Sequence, residues 1–250
     1  MKLLNIIDGL IMDEAVGGVP IERQIVEAAG AAHNVRTLMP LAGLIGVTVH
    51  NTANATSTAD ARAHASYLRN VEADDSLYVG AHLFVDEGRI VQTLPLNETS
   101  WHAGDGYGQG NRATISVEIC ENGDIARAEA NAMTLCAALL ETYGLNDLYT
   151  HQMWSGKYCP HLILDRLHGW EDFVSGVAEV RAALTAPAMA APVLDNEASR
   201  WAQEAVDWAL ANRFLVGDEK GDLALHRAAS REEVLVFLHR FAQAGGGVTP

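Results

Sequence analysis

The residue types best suited to chemistry in this sequence are two histidines and a cysteine. The stretch His151-Gln-Met-Trp-Ser-Gly-Lys157-Tyr-Cys159-Pro160 packs two metal-ligating side chains and a cation into one loop, and His50 ends a distant apolar run as a third donor. Two imidazoles and a thiolate form a zinc set, and three protein ligands leave the fourth position open for water; a purely structural site would be closed by a fourth ligand. One ion per chain is expected. Water on such a metal ionises near neutrality and suits attack on an amide carbonyl. Glu118, on the polar face of its strand, is placed to take the proton and pass it to a leaving amine. The alternative for Glu118 is a buried structural acid paired with Arg112. Lys157 is suited to stabilise charge developing on the carbonyl oxygen. The chain has ten histidines, so any one alone carries little weight. His64, His168, His226 and His239 read as structural or surface residues, and His50 and His151 stand out through their joint placement with Cys159 and Lys157.

The elements that must position these residues follow from the hydrophobic pattern. Residues 44–50 read as a buried strand ending in His50. Ser57, with Asp60 three residues later, is expected to cap a helix running through Ala61, Ala65 and Leu68. Strands at Ala81–Val85 and Arg89–Leu94 flank an Asp86-Glu87-Gly88 turn. In Thr114–Cys120, Ile115, Val117 and Ile119 share one face while Thr114, Ser116 and Glu118 share the other. Arg127–Tyr143 is helical by composition, with Gly144 where a C-cap belongs. Asp147–His151 is extended, and Trp170–Leu184 is a final helix. Strands interspersed with helices predict an α/β domain with a central mixed β-sheet flanked by helices. Cys120 and Cys136 fall at apolar positions and read as small buried hydrophobes rather than as parts of a disulfide framework.

The catalytic domain is expected at residues 1–184 and an Ala/Pro linker at 185–194, where two prolines interrupt an uncharged stretch. A small all-α module is expected at 195–245. Trp201, Ala205, Trp208 and Ala209 make one apolar stripe there; Val234, Leu235, Phe237, Leu238 and Phe241 make another. Trp201 and Trp208 are expected to fill the little core between the two helices. Ser230 and Glu233 form a capping box. The tail 245–250 is expected to be disordered.

The formal charge of −15 argues against general attraction to nucleic acid or an anionic membrane surface. No run approaches the roughly 20 apolar residues of a bilayer span. Asp8, Asp13 and Glu14 interrupt the stretch where a signal peptide would need a continuous apolar core. The expectation is a chain made in the cytoplasm without a signal peptide.

Several blocks together resemble the amidase-2 family, whose fold is shared by phage amidases and peptidoglycan-recognition proteins, over about residues 40–175. They are Val49-His50-Asn51-Thr52-Ala53, Ala81-His82-Leu83-Phe84-Val85-Asp86, Trp101-His102-Ala103-Gly104-Asp105-Gly106, Gly110-Asn111-Arg112, Ser116-Val117-Glu118-Ile119-Cys120 and Gly156-Lys157-Tyr158-Cys159-Pro160-His161. The resemblance implies zinc on His50, His151 and Cys159, with Lys157 and Glu118 in catalysis. It implies hydrolysis of the amide between N-acetylmuramic acid and L-alanine in peptidoglycan. One departure is Ala81, where some phage relatives carry a catalytic tyrosine. The C-terminal blocks Trp201-Ala-Gln-Glu-Ala205-Val206, Gly217-Asp218 and Ser230-Arg231-Glu232-Glu233 resemble one S-layer homology repeat. That implies binding to a Gram-positive secondary wall polysaccharide, with Arg231 as the contact, or pairing with the same module on other chains. A solvated cap residue is the alternative for Arg231.

Read this way, the chain is a phage or prophage endolysin, bacteriolytic once it reaches the wall from the host cytoplasm. The competing readings are a peptidoglycan binder that has lost catalysis and a cytosolic amidase recycling wall fragments. His102 and His82 line the substrate groove or hydrogen-bond within the sheet. Trp101 and Trp154 pack on substrate or anchor the core. Asn111 and Arg112 touch substrate or shape a turn.

Overall fold

A computed structural model of the chain describes residues 3–29, 33–74, 77–186 and 195–243. They form two compact units, Met1–Ala186 and Pro187–Pro250. Most of the linker stretch 185–194 and the tail 245–250 lie outside the described residues. No helix among the described residues is long and apolar enough to cross a membrane.

The first unit opens with short strands β1 (Ile6–Ile7), β2 (Leu10–Ile11), β3 (Ala15–Val16) and β4 (Val19–Arg23), followed by the long strand β5 (Gly46–Asn51). Helix α1 (Ala61–Asp74) leads to the hairpin β6 (Leu83–Val85) and β7 (Ile90–Gln92). The short helix α2 (Gln109–Ala113) runs into β8 (Thr114–Ile119), and α3 (Ile125–Tyr143) returns to β9 (Asp147–Thr150). Helices α4 (His151–Ser155), α5 (His161–Leu164) and α6 (Gly169–Thr185) complete the unit. Seven strands form one mixed sheet in the order β3-β4-β7-β6-β8-β5-β9.

Alternation within the strands sorts their residues between the two faces of this sheet. Val47 and Val49 of β5 join Ile115, Val117 and Ile119 of β8 in a core closed by Leu135 and Leu139 of α3 and Phe173 and Val177 of α6. Across the sheet, α1 lays Ala61, Ala65, Leu68 and Val71 against Phe84, Val91 and Leu94. Cys136 and Cys120 are buried in the first and second of these clusters, as free thiols.

Local chemistry explains most element ends. Asp124 caps α3 by accepting from Arg127 N–H, and Gly144 ends the helix in the left-handed conformation at φ 67°. The start of α1 differs from expectation: the side chain of Asp60, not Ser57, accepts from Ala63 N–H, and Asp86 accepts from Ala61 N–H. Asp86 also accepts from Gly88 and Arg89 N–H, so one carboxylate organises both the hairpin turn and the helix entry. The strands β1–β4 have no counterpart in the sequence reading.

Among its described residues the second unit has two helices, α7 (Gln203–Ala211) and α8 (Arg231–Gln243), and neither contains a buried residue. The capping box is present: Glu233 N–H donates to Ser230 Oγ at 3.1 Å and Ser230 N–H to the Glu233 carboxylate at 2.7 Å. The expected tryptophan core is not. Trp201 precedes α7 and is 89% exposed, while Trp208 stacks on Phe214 at 5.0 Å between ring centres and stays half exposed. The indole of Trp201 projects away because its position lies before the first helical turn, outside the stripe.

Candidate active site

Three adjacent parallel strands explain why distant residues meet. Strand β5 lies between β8 and β9, and its register sets His50 beside Glu118. The chain leaving β9 begins α4 with His151. The carboxyl ends of parallel strands are where an open α/β sheet gathers its chemistry, and His50, Glu118 and His151 all lie there. The polar-face alternation is closed behind them: Thr48 and Thr114 hydroxyls meet at 2.7 Å, and Trp154 Nε1–H donates to Thr48 at 2.9 Å.

The ligand loop is held by backbone chemistry. Thr150 caps α4 through Met153 N–H, and Gly156 ends it at φ 79°, a left-handed turn that favours glycine. Gln152 N–H donates to the Cys159 carbonyl, and Asn51 N–H donates to Cys159 Sγ at 3.4 Å. His50 Nδ1 thus stands 3.1 Å from His151 Nδ1 and 3.8 Å from Cys159 Sγ, and all three residues are buried. Their candidate ligand atoms lie within 4.8 Å of one another. Donors about 2.0–2.3 Å from a common tetrahedral centre would be separated by roughly 3.3–3.8 Å; the two separations from His50 Nδ1 lie near that range, so the donor types and spacing suit one small ion.

Electrostatics suits the same purpose. Burial first, and then the nearby His102, His151 and Lys157, hold His50 well below the usual histidine range, and burial with Lys157 holds His151 down to about 4. Both are therefore neutral near pH 7, with lone pairs to give. Burial pushes the Cys159 thiol up to about 11, with the Asn51 backbone N–H working against it. Glu118 is raised to about 7, by burial first, with Lys157 lowering it and Glu121 adding to the rise. Its Oε2 is buried without a hydrogen-bond partner, and among the described residues no ion pair joins it to Arg112.

Beside the cluster opens a cavity of about 240 Å³ lined by Glu118, Lys157 and Cys159 together with Asn51, Tyr67 and Phe84. Lys157 is exposed at its mouth. The cavity therefore offers an acid, a cation and an apolar wall beside a set of metal donors. That combination suits an extended polar substrate with one bond presented to the cluster.

Comparison with known proteins agrees with this geometry. The family model described as Amidase_2, N-acetylmuramoyl-L-alanine amidase, matches residues 44–162. The structure of a mutant endolysin from Bacillus subtilis is 42% identical with a TM-score of 0.57, covering 64% of this chain and 99% of that one. The chain belongs to the Amidase_2 family. The catalytic domain of XlyA is 41% identical with a TM-score of 0.54, over 64% of this chain and 99% of that one. Among curated relatives, the amidase XlyA of Bacillus subtilis is 48% identical over 135 residues, which is 52% of this chain and 43% of that protein. The amidase CwlH of the same species is 43% identical over 137 residues, 53% of this chain and 52% of that protein. The chain spans about half the length of the curated relatives it matches.

Within this Amidase_2 chain, the residues expected at the substrate fall into two groups. Trp101 is half-buried between the exposed Tyr107 and Tyr78, at 5.5 and 6.3 Å between ring centres, and Arg112 is half-buried at the end of α2. His82, Asn111 and His102 point inward instead. His82 is fully buried, with Nδ1 2.9 Å from Ser116 Oγ and Nε2 2.8 Å from the Glu98 carbonyl, leaving no ring nitrogen for a ligand. Asn111 Oδ1 accepts from His102 and Ala103 N–H at 2.7 Å each, and its amide donates to Gly106. His102 is buried with Nδ1 3.0 Å from His50 Nε2. All three turn their polar atoms into the protein interior, where His82 and Asn111 find partners and His102 Nε2 does not, and they support the sheet and the loop behind the cluster.

Sequence reasoning passed over other residues of the site. Asn51 aligns Cys159 through its backbone and accepts from Leu162 N–H through Oδ1 at 3.1 Å. Glu121 accepts from Ala53 N–H at 2.6 Å and faces His161 at 3.7 Å. His64, expected to be structural, stacks on Phe84 at 5.1 Å and lines the cavity. The only signal for Asn51 was its position directly after His50.

Proposed function

We propose that this chain is a zinc-dependent N-acetylmuramoyl-L-alanine amidase that cleaves peptidoglycan as a phage or prophage endolysin. The observation that carries the reading is the meeting of His50, His151 and Cys159 beside Glu118 at the carboxyl ends of three parallel strands. His50, His151 and Cys159 would hold a zinc ion, which would supply a Lewis acid able to lower the pKa of water toward neutrality. Glu118 accepts the proton of the attacking water and returns it to the alanine amine as the amide breaks; an acid poised near 7 can do both. Lys157, at the cavity mouth, stabilises the negative charge that gathers on the carbonyl oxygen. Trp101 and Arg112 are the half-buried side chains of the substrate block, and in this reading they contact the glycan or stem peptide.

The second unit, with its two helices and the capping box at the start of α8, serves in this reading as an S-layer-homology-like module that binds secondary wall polysaccharide or pairs with other copies. Arg231, exposed at the start of α8, is its proposed anionic contact. The enzyme collects in the host cytoplasm and acts on the wall after the membrane is breached. The test is to incubate the protein with purified Gram-positive walls, with and without a chelator. Newly freed N-terminal alanine, abolished by the chelator and restored by zinc, is the expected result. A metal-free protein that binds walls without releasing alanine would reject the reading in favour of a binder.

A further inference from the structure

His50 uses its two ring nitrogens in opposite directions. Nδ1 faces His151 and Cys159, while Nε2 lies 3.0 Å from Nδ1 of His102 with the two rings at 88° to one another. A neutral imidazole carries a single N–H, and only the form with hydrogen on Nε2 leaves the Nδ1 lone pair free for a metal. A ligating histidine is commonly held in that form by a partner accepting its other N–H. For His50, the partner at that position is another imidazole.

We propose that His102 is a positioning residue: its Nδ1 accepts the Nε2–H of His50, fixing the tautomer and ring plane that aim Nδ1 at the metal. The inference rests on the zinc-amidase reading. It requires the proton of His102 on its own Nε2, a buried nitrogen with no hydrogen-bond partner. His102 in turn is immobilised from behind. Its backbone N–H and that of Ala103 both end on Asn111 Oδ1, and Asp105 receives Gly110 N–H at 2.8 Å and Asn111 N–H at 3.2 Å. The same loop bears on the other histidine: at Gly104, with φ +68°, a Cβ would lie 3.3 Å from His151 Nε2 and 3.0 Å from Ser155 Oγ. The Trp101–Asn111 block therefore backs both imidazoles. That accounts for its buried histidine and asparagine without any substrate contact.

The test measures zinc affinity of the full chain by competition with a chromogenic chelator, together with nitrogen NMR shifts of His50 in the metal-free protein. His102→Leu should weaken zinc binding by roughly 10–100-fold and leave His50 as a mixture of tautomers. His102→Asn, whose amide oxygen stands near the place of Nδ1, should recover most of that loss, and His102→Gln, whose polar atoms reach toward the place of Nε2, should not. Should the leucine variant fail to fold, the Asn and Gln variants decide alone: equal zinc affinity in the two overturns the proposal. Wild-type affinity in all three variants also overturns it while leaving the zinc reading intact. A wild-type protein that takes up no zinc defeats the zinc reading itself.

Discussion

The two units treat the same kinds of side chain in opposite ways. In the first, Phe173 is 0% exposed and packs into a core shared by the sheet, α3 and α6. In the second, Phe237 and Phe241 stay 40% and 43% exposed on α8, around an apolar cavity of about 380 Å³ that they share with Trp208 and Phe214. Amphipathic stripes make helices in either place, but depth requires layers. A seven-stranded sheet covered on both faces can withdraw polar groups such as the His50 ring and Glu118 Oε2 from water and shift their proton affinities. Two short helices withdraw nothing, so they can present a surface but cannot tune a buried acid or metal donor. This locates the chemistry in the first unit.

The strongest way to break that division is to remove a donor from the buried cluster. Cys159→Ala should lose zinc by more than the roughly 100-fold typical of outer partners, and release of alanine from walls should fall to background. Zinc content and alanine release in the same preparation check it. Glu118→Ala should keep the zinc and lose roughly 10²–10⁴-fold in kcat; undiminished cleavage would remove Glu118 from the mechanism.

The pH dependence follows from the raised acid. Glu118 must be ionised to accept a proton, so kcat should rise through an acid limb near 7, and below 7 to the extent that a bound cation opposes the effect of burial. In the metal-free protein the sign for stability is reversed. The folded-state value lies above the ordinary carboxyl value of about 4.5, so the group favours folding below about 4.5 and loses that contribution as pH rises through about 7. Glu118→Gln should therefore raise the Tm of the metal-free protein at about pH 8 and leave it nearly unchanged at about pH 4. An equal change at both pH values would show that Glu118 is not desolvated.

Much of this was legible in the sequence, for reasons that separate local from non-local information. The alternation in Thr114–Ile119 announced which face carries Glu118, and the apolar run ending in His50 announced β5. The two-residue strands β1, β2 and β3 were illegible because no period can be read in two residues. Strand β4 pairs with β7 through Ile21 and Ile90, a registration written in neither segment alone. The donor set could be picked out by residue type, and the sheet brings it together. The directions of His82, His102 and Asn111 could not, because a motif shows that a side chain is near a site but not whether it faces the cavity or the wall behind it. Similarly, the stripes of α7 and α8 were visible but not their lack of cover.

Core truncations sharpen the contrast by size. Phe173→Ala should cost about 3–5 kcal/mol, since a fully buried ring leaves a cavity the layers cannot close. Phe241→Ala, starting from a ring already nearly half in water, should cost about 1 kcal/mol. Denaturation midpoints of the full-length variants measure both. A cost at Phe241 as large as that at Phe173 would mean that α8 is covered in solution by something that buries it.

The smallest effect compares caps. Asp124 accepts from Arg127 N–H at the start of α3, and Ser230 accepts from Glu233 N–H at the start of α8. Alanine at either cap removes an acceptor worth about 1 kcal/mol. In α3, where Leu135, Leu139 and Cys136 are fully buried, the helix has packing to hold it, so Asp124→Ala should appear only as a modest drop in the global transition. In α8 no residue is buried, and helices of this length are marginal without tertiary support. Ser230→Ala should therefore appear locally, as faster amide exchange over the first turns of α8 with the first unit's exchange unchanged. Equal protection of α8 in both proteins would mean that contacts beyond α7 and α8, rather than its own cap, hold that helix in place.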